Sequence, residues 1–238
     1  MLKAFAEYLQ SMKENKTYEI NGEVYSDNNL VRVPKHVERP MQLDLTSLDS
    51  VVQLVKAELP KVAATPLFVQ VVSPRKVSVF STLDEVKGRD SLYRAVCDGP
   101  DFRTGWRSQE EAIIELRSNF IPDDDVDYLL NLLGRISKES EVMTEDNGVS
   151  QTVSARNGIA LRSYEPVRPR VCMAPFRTFL EVEQPHSEFI LRLDENARVG
   201  LFEADGGHWK LEAKANIKAY FEAELAGEIA DGTVVVMV

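Results

Sequence analysis

The sequence predicts an α+β fold: an antiparallel β-rich core with several packing helices, an N-terminal amphipathic helix and a C-terminal β-strand. Short strand-like runs follow one another directly, which favours antiparallel pairing, and segments of helical apolar spacing interrupt them. Neither a polar linker nor an internal repeat divides the 238 residues. We therefore expect an N-terminal helix and hairpin extension over 1–40 and a single α+β domain over 41–238, with sub-layers of about 41–139 and 140–238.

The first sixty residues carry two helix signals and one hairpin signal. Leu2, Phe5 and Leu9 recur at helical spacing, which predicts an amphipathic helix over 2–14. Asn21-Gly22 is typical of a type I′ turn, because both turn positions need a positive φ. Short strands are expected at about 30–33 and 41–45. The run 46–49 resembles a capping box, and the helix after it should end at Pro60.

The remaining elements follow from the same periodicities. Ser108 and Glu111 form a capping box that predicts a helix to about 119, and Pro122 with the acidic triplet 123–125 begins the next helix. A long helix should start at Trp209 and end before Gly227. Strands are expected at 67–72, 76–82, 91–97, 141–144, 149–155, 167–173, 189–193, 199–203 and 233–238.

Composition limits the classes of function. The net charge of −10 argues against a general nucleic-acid coat, although it leaves room for a small basic site. No apolar run approaches a membrane span, and charges inside the N-terminal apolar pattern argue against a signal peptide, so a cytoplasmic protein without membrane partners is expected. Cys97 and Cys172 lie in apolar segments that are typical of β-strands, and both are expected to be buried reduced thiols.

Common catalytic signatures are missing from the sequence, including the dinucleotide-binding, P-loop, nucleophile-elbow and zinc-protease motifs. No cofactor and no catalytic residue are therefore predicted. Glu203, Asp205 and His208 are the best metal or acid–base candidates. The alternative is that they form a turn before a helix, and the acidic triplet 123–125 is similarly explained by the dipole of the helix that it begins.

One region concentrates positive charge. Positions 156–177 contain five arginines and a single acidic residue, Glu165. No lysine occurs between Lys138 and Lys210. Arginine binds phosphate or carboxylate through two parallel hydrogen bonds and stacks on rings, so this arginine island is a candidate site for a nucleotide or another planar anion. The candidate residues are Arg156, Arg162, Arg168, Arg170, Arg177, Tyr164, Phe176 and Phe179. Alternatively, the arginines pair with acids elsewhere, such as Glu181, Glu183 and Glu188, or with a neighbouring subunit.

Several longer segments carry a family resemblance. The runs GVSQTVSARNGIA, VRPRVCMAPFRTFLEVEQPHSEFILRL and GLFEADGGHWKLEA resemble the YfdQ-like family of uncharacterised phage and prophage proteins. Earlier runs such as PMQLDLTSLDSVVQLVK fit as well, so the resemblance extends from about 41 to 220. It implies a phage protein that acts inside the bacterial host. It carries no activity and no catalytic residue.

These observations favour a binding protein over an enzyme. The first hypothesis is a non-enzymatic phage accessory protein, a homo-oligomer that binds or sequesters an anionic host ligand such as a nucleotide defence signal, or a host protein. The second is a self-assembling structural particle that uses the N-terminal helix and the C-terminal strand between subunits. The third is a nucleic-acid accessory protein for phage replication or recombination, and the fourth is a hydrolase that uses Glu203, Asp205 and His208.

Overall fold

The structure, a computed structural model of the chain, describes residues 2–11, 16–26, 32–33, 39–61, 66–85, 87–135, 141–146, 151–157, 160–194 and 198–238. The chain divides into two compact units, Met1–Pro40 and Met41–Val238. Helices and mostly antiparallel sheets make up an α+β fold, as the sequence predicts. Within the described ranges, no helix combines the length and apolar character that a membrane span requires.

The described residues of the N-terminal unit form one helix and one antiparallel sheet of order β1-β2-β3. Asn21 and Gly22 adopt φ values of 55° and 78°, which confirms the predicted type I′ turn between β1 and β2. The predicted helix over 2–14 is observed to Ser11, and positions 12–15 lie outside the described residues. The elements are α1 (Leu2–Ser11), β1 (Thr17–Ile20), β2 (Glu23–Ser26) and β3 (Arg32–Val33).

The larger unit alternates short helices with strands and ends on a strand. Its first half contains β4 (Leu43–Leu45), α2 (Leu48–Glu58) with a 3-10 turn at Leu59–Lys61, β5 (Leu67–Ser73), β6 (Lys76–Phe80), β7 (Ser91–Val96), β8 (Gly105–Arg107), α3 (Gln109–Asn119) and α4 (Asp124–Arg135). Its second half contains β9 (Glu141–Asp146), β10 (Gln151–Asn157), β11 (Ala160–Val167), β12 (Arg170–Met173), β13 (Ser187–Leu193), β14 (Val199–Glu203), α5 (Trp209–Glu224), α6 (Ala226–Ala230) and β15 (Val234–Met237).

A five-stranded sheet of order β15-β5-β6-β7-β4 carries the first core. Strands β5, β6 and β7 form the predicted antiparallel meander, whereas β15 and β4 join its two edges in parallel. Strict alternation along β5 and β6 turns every second side chain towards α2 and α5, so that Val55, Val69, Val79 and Phe221 are fully buried together. The intervening side chains belong to the opposite side of the sheet, which we call the outer face.

A second core lies between α3, α4 and a four-stranded antiparallel sheet of order β12-β13-β14-β8. Leu116, Leu129 and Leu133 supply the helical side of this core, and Phe189 and Leu191 supply the sheet side. A further antiparallel sheet has the order β11-β10-β9. Neither core follows the expected sub-layers, because the first contains both Val51 and Val234 from opposite ends of the unit.

The segment Ala174–His186, here called the bridging segment, connects the two cores. At its start the Ala174 carbonyl accepts a hydrogen bond from Ile121 N–H at 2.9 Å, beside the second core. At its middle Phe179 is only 1% exposed and belongs to the first core. The Glu181 carboxylate then accepts a hydrogen bond from Leu48 N–H at 2.7 Å and so caps α2. These contacts fix the two sheets relative to each other within this unit.

Several sequence expectations differ from the structure. Cys97 is buried, but Cys172 is exposed, because alternation along β12 turns its neighbours Val171 and Met173 into the core. The C-terminal strand exists as predicted and pairs in parallel with β5 at one edge of the five-stranded sheet, and its use between subunits stays a prediction. Strands β8 and β11 and helix α6 were not predicted. β8 has only three residues, β11 contains Pro166, and Gly227 at the second position of α6 resembles a helix end.

The capping box of α3 is present: Ser108 Oγ accepts a hydrogen bond from Glu111 N–H at 3.3 Å, and the Glu111 carboxylate accepts one from Ser108 N–H at 2.9 Å. The substitution Ser108→Ala removes the first of these bonds. We expect it to lower the free energy of unfolding by about 1 kcal/mol, measured by urea denaturation. Ser118→Ala, on the same helix, is the matched control and should change stability by less than about 0.5 kcal/mol. Equal effects of the two substitutions would contradict the cap.

Candidate functional site

The described arginines of the arginine island lie beside separate carboxylates. Arg168 forms an ion pair with Asp125 at 2.9 Å, and its guanidinium carbon lies 4.3 Å from the centre of the Tyr128 ring. Arg170 pairs with Glu188 on the neighbouring strand, also at 2.9 Å. Both arginine side chains are largely exposed, so each pair contributes little to stability. This arrangement matches the alternative considered from the sequence, in which the arginines pair with acids.

Arg177 differs because it is only 2% exposed. Its guanidinium donates hydrogen bonds to the Glu203 carboxylate at 2.8 Å, to the Pro185 carbonyl at 3.3 Å and to the Ser187 hydroxyl. The guanidinium carbon lies 3.9 Å from the centre of the Trp209 ring, which is a close cation–π contact. One buried cation thereby ties the bridging segment to β13, β14 and the beginning of α5.

Burial is the largest influence on Arg177, and it lowers the pKa of the guanidinium to about 10. The negative charges of Glu203, Asp205 and Glu212 act in the opposite direction and limit that fall. The guanidinium therefore stays protonated at neutral pH. A buried charge is tolerable only when it is paired and hydrogen bonded, and Glu203 supplies the pairing here.

Asp205 forms the turn before α5. Partial burial acts to raise the pKa of its carboxyl. Hydrogen bonds from the Ser187 hydroxyl at 2.7 Å and from the N–H groups of Gly207 and Trp209, together with the charge of Arg177, outweigh burial and lower that pKa below its usual value. The carboxylate is thus ionised at neutral pH and fully occupied in closing the turn.

The carboxylates among the metal and acid–base candidates therefore have structural roles. Glu203 holds Arg177, Asp205 holds the turn, and His208 lies exposed at the beginning of α5. Across the described ranges, no three His, Cys, Asp or Glu side chains are grouped so that they could hold a metal ion. The arrangement is the turn that the sequence offered as the alternative explanation.

The other island residues do not complete a site among the described side chains. Phe179 is buried in the first core, and Phe176 is partly buried, with its N–H donating to the Asn119 carbonyl at 2.8 Å. Arg156, Arg162 and Tyr164 lie on β10 and β11, and their side chains lie outside the described part of the structure. A shared anion site in this region stays a prediction for those three residues.

A different cationic and aromatic candidate site, which the sequence did not predict, lies on the outer face of the five-stranded sheet. Phe68 and Phe80 are directly opposite each other on β5 and β6, and their rings stack with centres 5.6 Å apart and planes 24° from parallel. The Arg89 guanidinium carbon lies 5.2 Å and 5.5 Å from the two ring centres. Together with Met237 they line a shallow concavity of about 400 Å³ that is largely open to solvent.

The loop between β6 and β7 holds Arg89 in this position. At the base of the loop, Ser81 N–H donates to the Asp90 carbonyl, and Asp90 N–H donates to the Ser81 hydroxyl, both at 2.9 Å. Asp84 accepts a hydrogen bond from Gly88 N–H at 2.6 Å and so closes the tip. Arg89 itself donates to the Ser81 carbonyl at 3.0 Å. Because the loop is bonded at its base and its tip, the guanidinium is positioned over the rings by the backbone.

Arg89 also differs in its charge balance. Arg168, Arg170 and Arg177 each have a carboxylate partner, whereas no described carboxylate lies within ion-pair distance of Arg89. Its positive charge is thus offset only by a carbonyl dipole and two ring faces. A cation of this kind, next to two half-buried rings, can bind an anion attached to a planar ring.

A second surface depression contrasts with this one. It has a volume of about 500 Å³ and lies between β8 and α3, where Trp106 and Ile114 contribute exposed apolar surface. Its cation, Arg107, is already paired with Glu115, and burial raises the pKa of that carboxyl more than Arg107 lowers it. Because the pair neutralises itself, this depression offers less to an anionic ligand than the outer face does.

Comparisons with protein-family models, with curated proteins and with solved structures find no match to this chain. The resemblance to the YfdQ-like family therefore stays a prediction from the sequence.

The Arg177 network makes a prediction about stability. Arg177→Met keeps much of the side-chain volume but leaves Glu203 without its buried cation, and Ser187 and the Pro185 carbonyl without their donor. We expect a loss of about 3 kcal/mol in the free energy of unfolding, measured by chemical denaturation. Arg170→Met, which breaks an exposed ion pair, is the matched control and should cost less than about 1 kcal/mol. Similar losses for both variants would show that the burial of Arg177 does not matter.

Proposed function

We propose that this protein is a non-enzymatic binding protein that takes a nucleotide or a closely related planar anion on the outer face of its five-stranded sheet. The observation that carries the proposal is the stacked pair Phe68 and Phe80 beneath the uncompensated guanidinium of Arg89. Every nucleobase has a π face that can stack on such rings, and its phosphate is the natural partner of an arginine.

The chemistry of the concavity supports this choice of ligand. Its lining is apolar except for one cation, which suits a flat apolar ring with an anionic group beside it. The surrounding chain has a net charge of −10, so an anion gains little from long-range attraction and depends on local contacts. Selectivity for the ring should therefore come from stacking, and selectivity for the anion from Arg89.

The biological setting of the proposal comes from the sequence. The resemblance to the YfdQ-like family implies a phage accessory protein that acts in the cytoplasm of the bacterial host. A protein that binds nucleotides without converting them can sequester a host signal, such as a nucleotide used in defence. Homo-oligomeric association belongs to the same proposal and rests on sequence reasoning alone.

A nucleic-acid accessory function is the second candidate, and the same surface favours it. Sheets that present aromatic rings beside cations bind single-stranded bases by stacking. The two candidates share one site and differ in the length of the ligand. A nucleotide-binding protein and a single-strand-binding protein can therefore be tested with the same variants.

The test is a panel of mononucleotides and cyclic nucleotides, followed by thermal unfolding. A ligand that binds only the folded state raises Tm in proportion to the logarithm of its concentration over Kd. We expect at least one nucleotide to raise Tm. Phe80→Ala should weaken that ligand by about 1–3 kcal/mol through lost stacking, and Arg89→Ala by roughly tenfold or more through the lost phosphate contact.

Arg170→Ala is the matched control, because it removes an exposed arginine of the island that is already paired with Glu188. It should leave nucleotide affinity unchanged. The proposal fails if no nucleotide in a broad panel changes Tm, or if Arg170→Ala abolishes binding while Arg89→Ala does not.

A further inference from the structure

We infer that the ligand of the outer face is a single-stranded oligonucleotide of at least two nucleotides, which runs along β5 and β6 from Arg89 towards Lys76. This inference rests on the proposed function and specifies the ligand of the same site. It follows from groups on the outer face that a single nucleotide leaves unused.

The outer face is organised in successive cross-strand pairs. Phe68 lies opposite Phe80, and the next pair on the same face is Gln70 opposite Ser78. Lys76 occupies the following outward position on β6. Along one line the surface therefore presents two rings, then an amide and a hydroxyl, then an ammonium group. This order matches a stacked base, polar groups that can contact base edges or sugar, and a second phosphate site.

The polar groups on this line are free to meet a ligand. In the described part of the chain, the side chains of Gln70 and Ser78 make no hydrogen bond, and Lys76 has no carboxylate within ion-pair distance. By contrast, the neighbouring Arg94 forms a two-bond ion pair with Asp44, with both N–O distances at 2.9 Å. The outer face thus contains one neutralised arginine and two uncompensated cations, at its two ends.

The distance along β6 between Phe80 and Lys76 distinguishes a ligand of one nucleotide from a ligand of two. Outward side chains on one strand are about 6.8 Å apart, so Lys76 lies about 14 Å along β6 from Phe80. A mononucleotide stacked on the Phe68 and Phe80 pair, with its phosphate at Arg89, does not extend to Lys76 as well. A second nucleotide supplies both another base beside Gln70 and Ser78 and another phosphate for Lys76.

The number of phosphate contacts determines how strongly the binding constant depends on salt concentration. Each phosphate neutralised on a single strand changes the logarithm of the binding constant by about −0.7 per logarithmic unit of salt. Two phosphate contacts, at Arg89 and Lys76, predict a slope of about −1.4. A ligand held only at Arg89 predicts half of that slope.

The experiment compares thymidine 5′-monophosphate, the 5′-phosphorylated thymidine dinucleotide and a longer oligothymidylate by titration calorimetry at several salt concentrations. We expect the dinucleotide to bind roughly tenfold more tightly than the monophosphate, because it adds one stacked or edge-bonded base and one phosphate contact. Lys76→Ala should remove most of that gain and halve the salt slope, while leaving the affinity for the monophosphate unchanged.

Lys56→Ala is the matched control, since Lys56 is an exposed lysine on α2, which packs against the opposite face of the sheet. It should change neither affinity nor slope, and both variants should retain the Tm of the parent protein. Equal affinities for the monophosphate and the dinucleotide, or an unchanged dinucleotide affinity in Lys76→Ala, would overturn this inference and leave the proposed function intact. If none of the three ligands nor any other nucleotide binds, the proposed function falls together with it.

Discussion

The buried ion pair between Arg177 and Glu203 is the interaction on which the arrangement of the larger unit depends. A guanidinium that is 2% exposed needs a partner charge and hydrogen-bond acceptors, and these come from the bridging segment, β13 and β14, with Trp209 of α5 stacked against it. Because α5 also covers the five-stranded sheet through Ile217 and Phe221, one cation couples the position of that helix to the second core. Because Arg177 is buried and paired within the protein, an external anion cannot reach it.

The same coupling explains why the aromatic rings and the arginine of the proposed site lie on the opposite face of the first sheet. With α2 and α5 fixed on one face, alternation in β5 and β6 leaves Phe68 and Phe80 on the other. A hydrogen-bonded loop then brings Arg89 over both rings. The proposed site is therefore built from a sheet and a hydrogen-bonded loop, which limits the conformational entropy that the protein loses when a ligand binds.

Apolar periodicity and capping motifs predict most of the helices and strands, because both depend on interactions between residues that are close in the sequence. The capping box at Ser108, the turn at Asn21-Gly22 and the strand over 67–72 are all confirmed by the structure. Arg168, Arg170 and Arg177 are close in the sequence but pair with separate carboxylates, because an exposed strand pairs its charges with whichever strand or helix lies beside it, as Arg170 does with Glu188. The outer face joins Phe68 to Arg89 across a strand pair and a loop, and only cross-strand register reveals that they meet. Outward aromatic residues on successive predicted strands were the available signal.

The most direct test of the account is to locate the bound ligand on the chain. A photoreactive 4-thiothymidine dinucleotide can be crosslinked to the protein by long-wavelength light, and the modified peptides identified by mass spectrometry. The outer-face site predicts crosslinks in the peptides that contain Phe68 and Phe80, and their loss when unmodified dinucleotide competes. Crosslinks confined to 156–177, with none on β5 or β6, would contradict it and return the site to the arginine island.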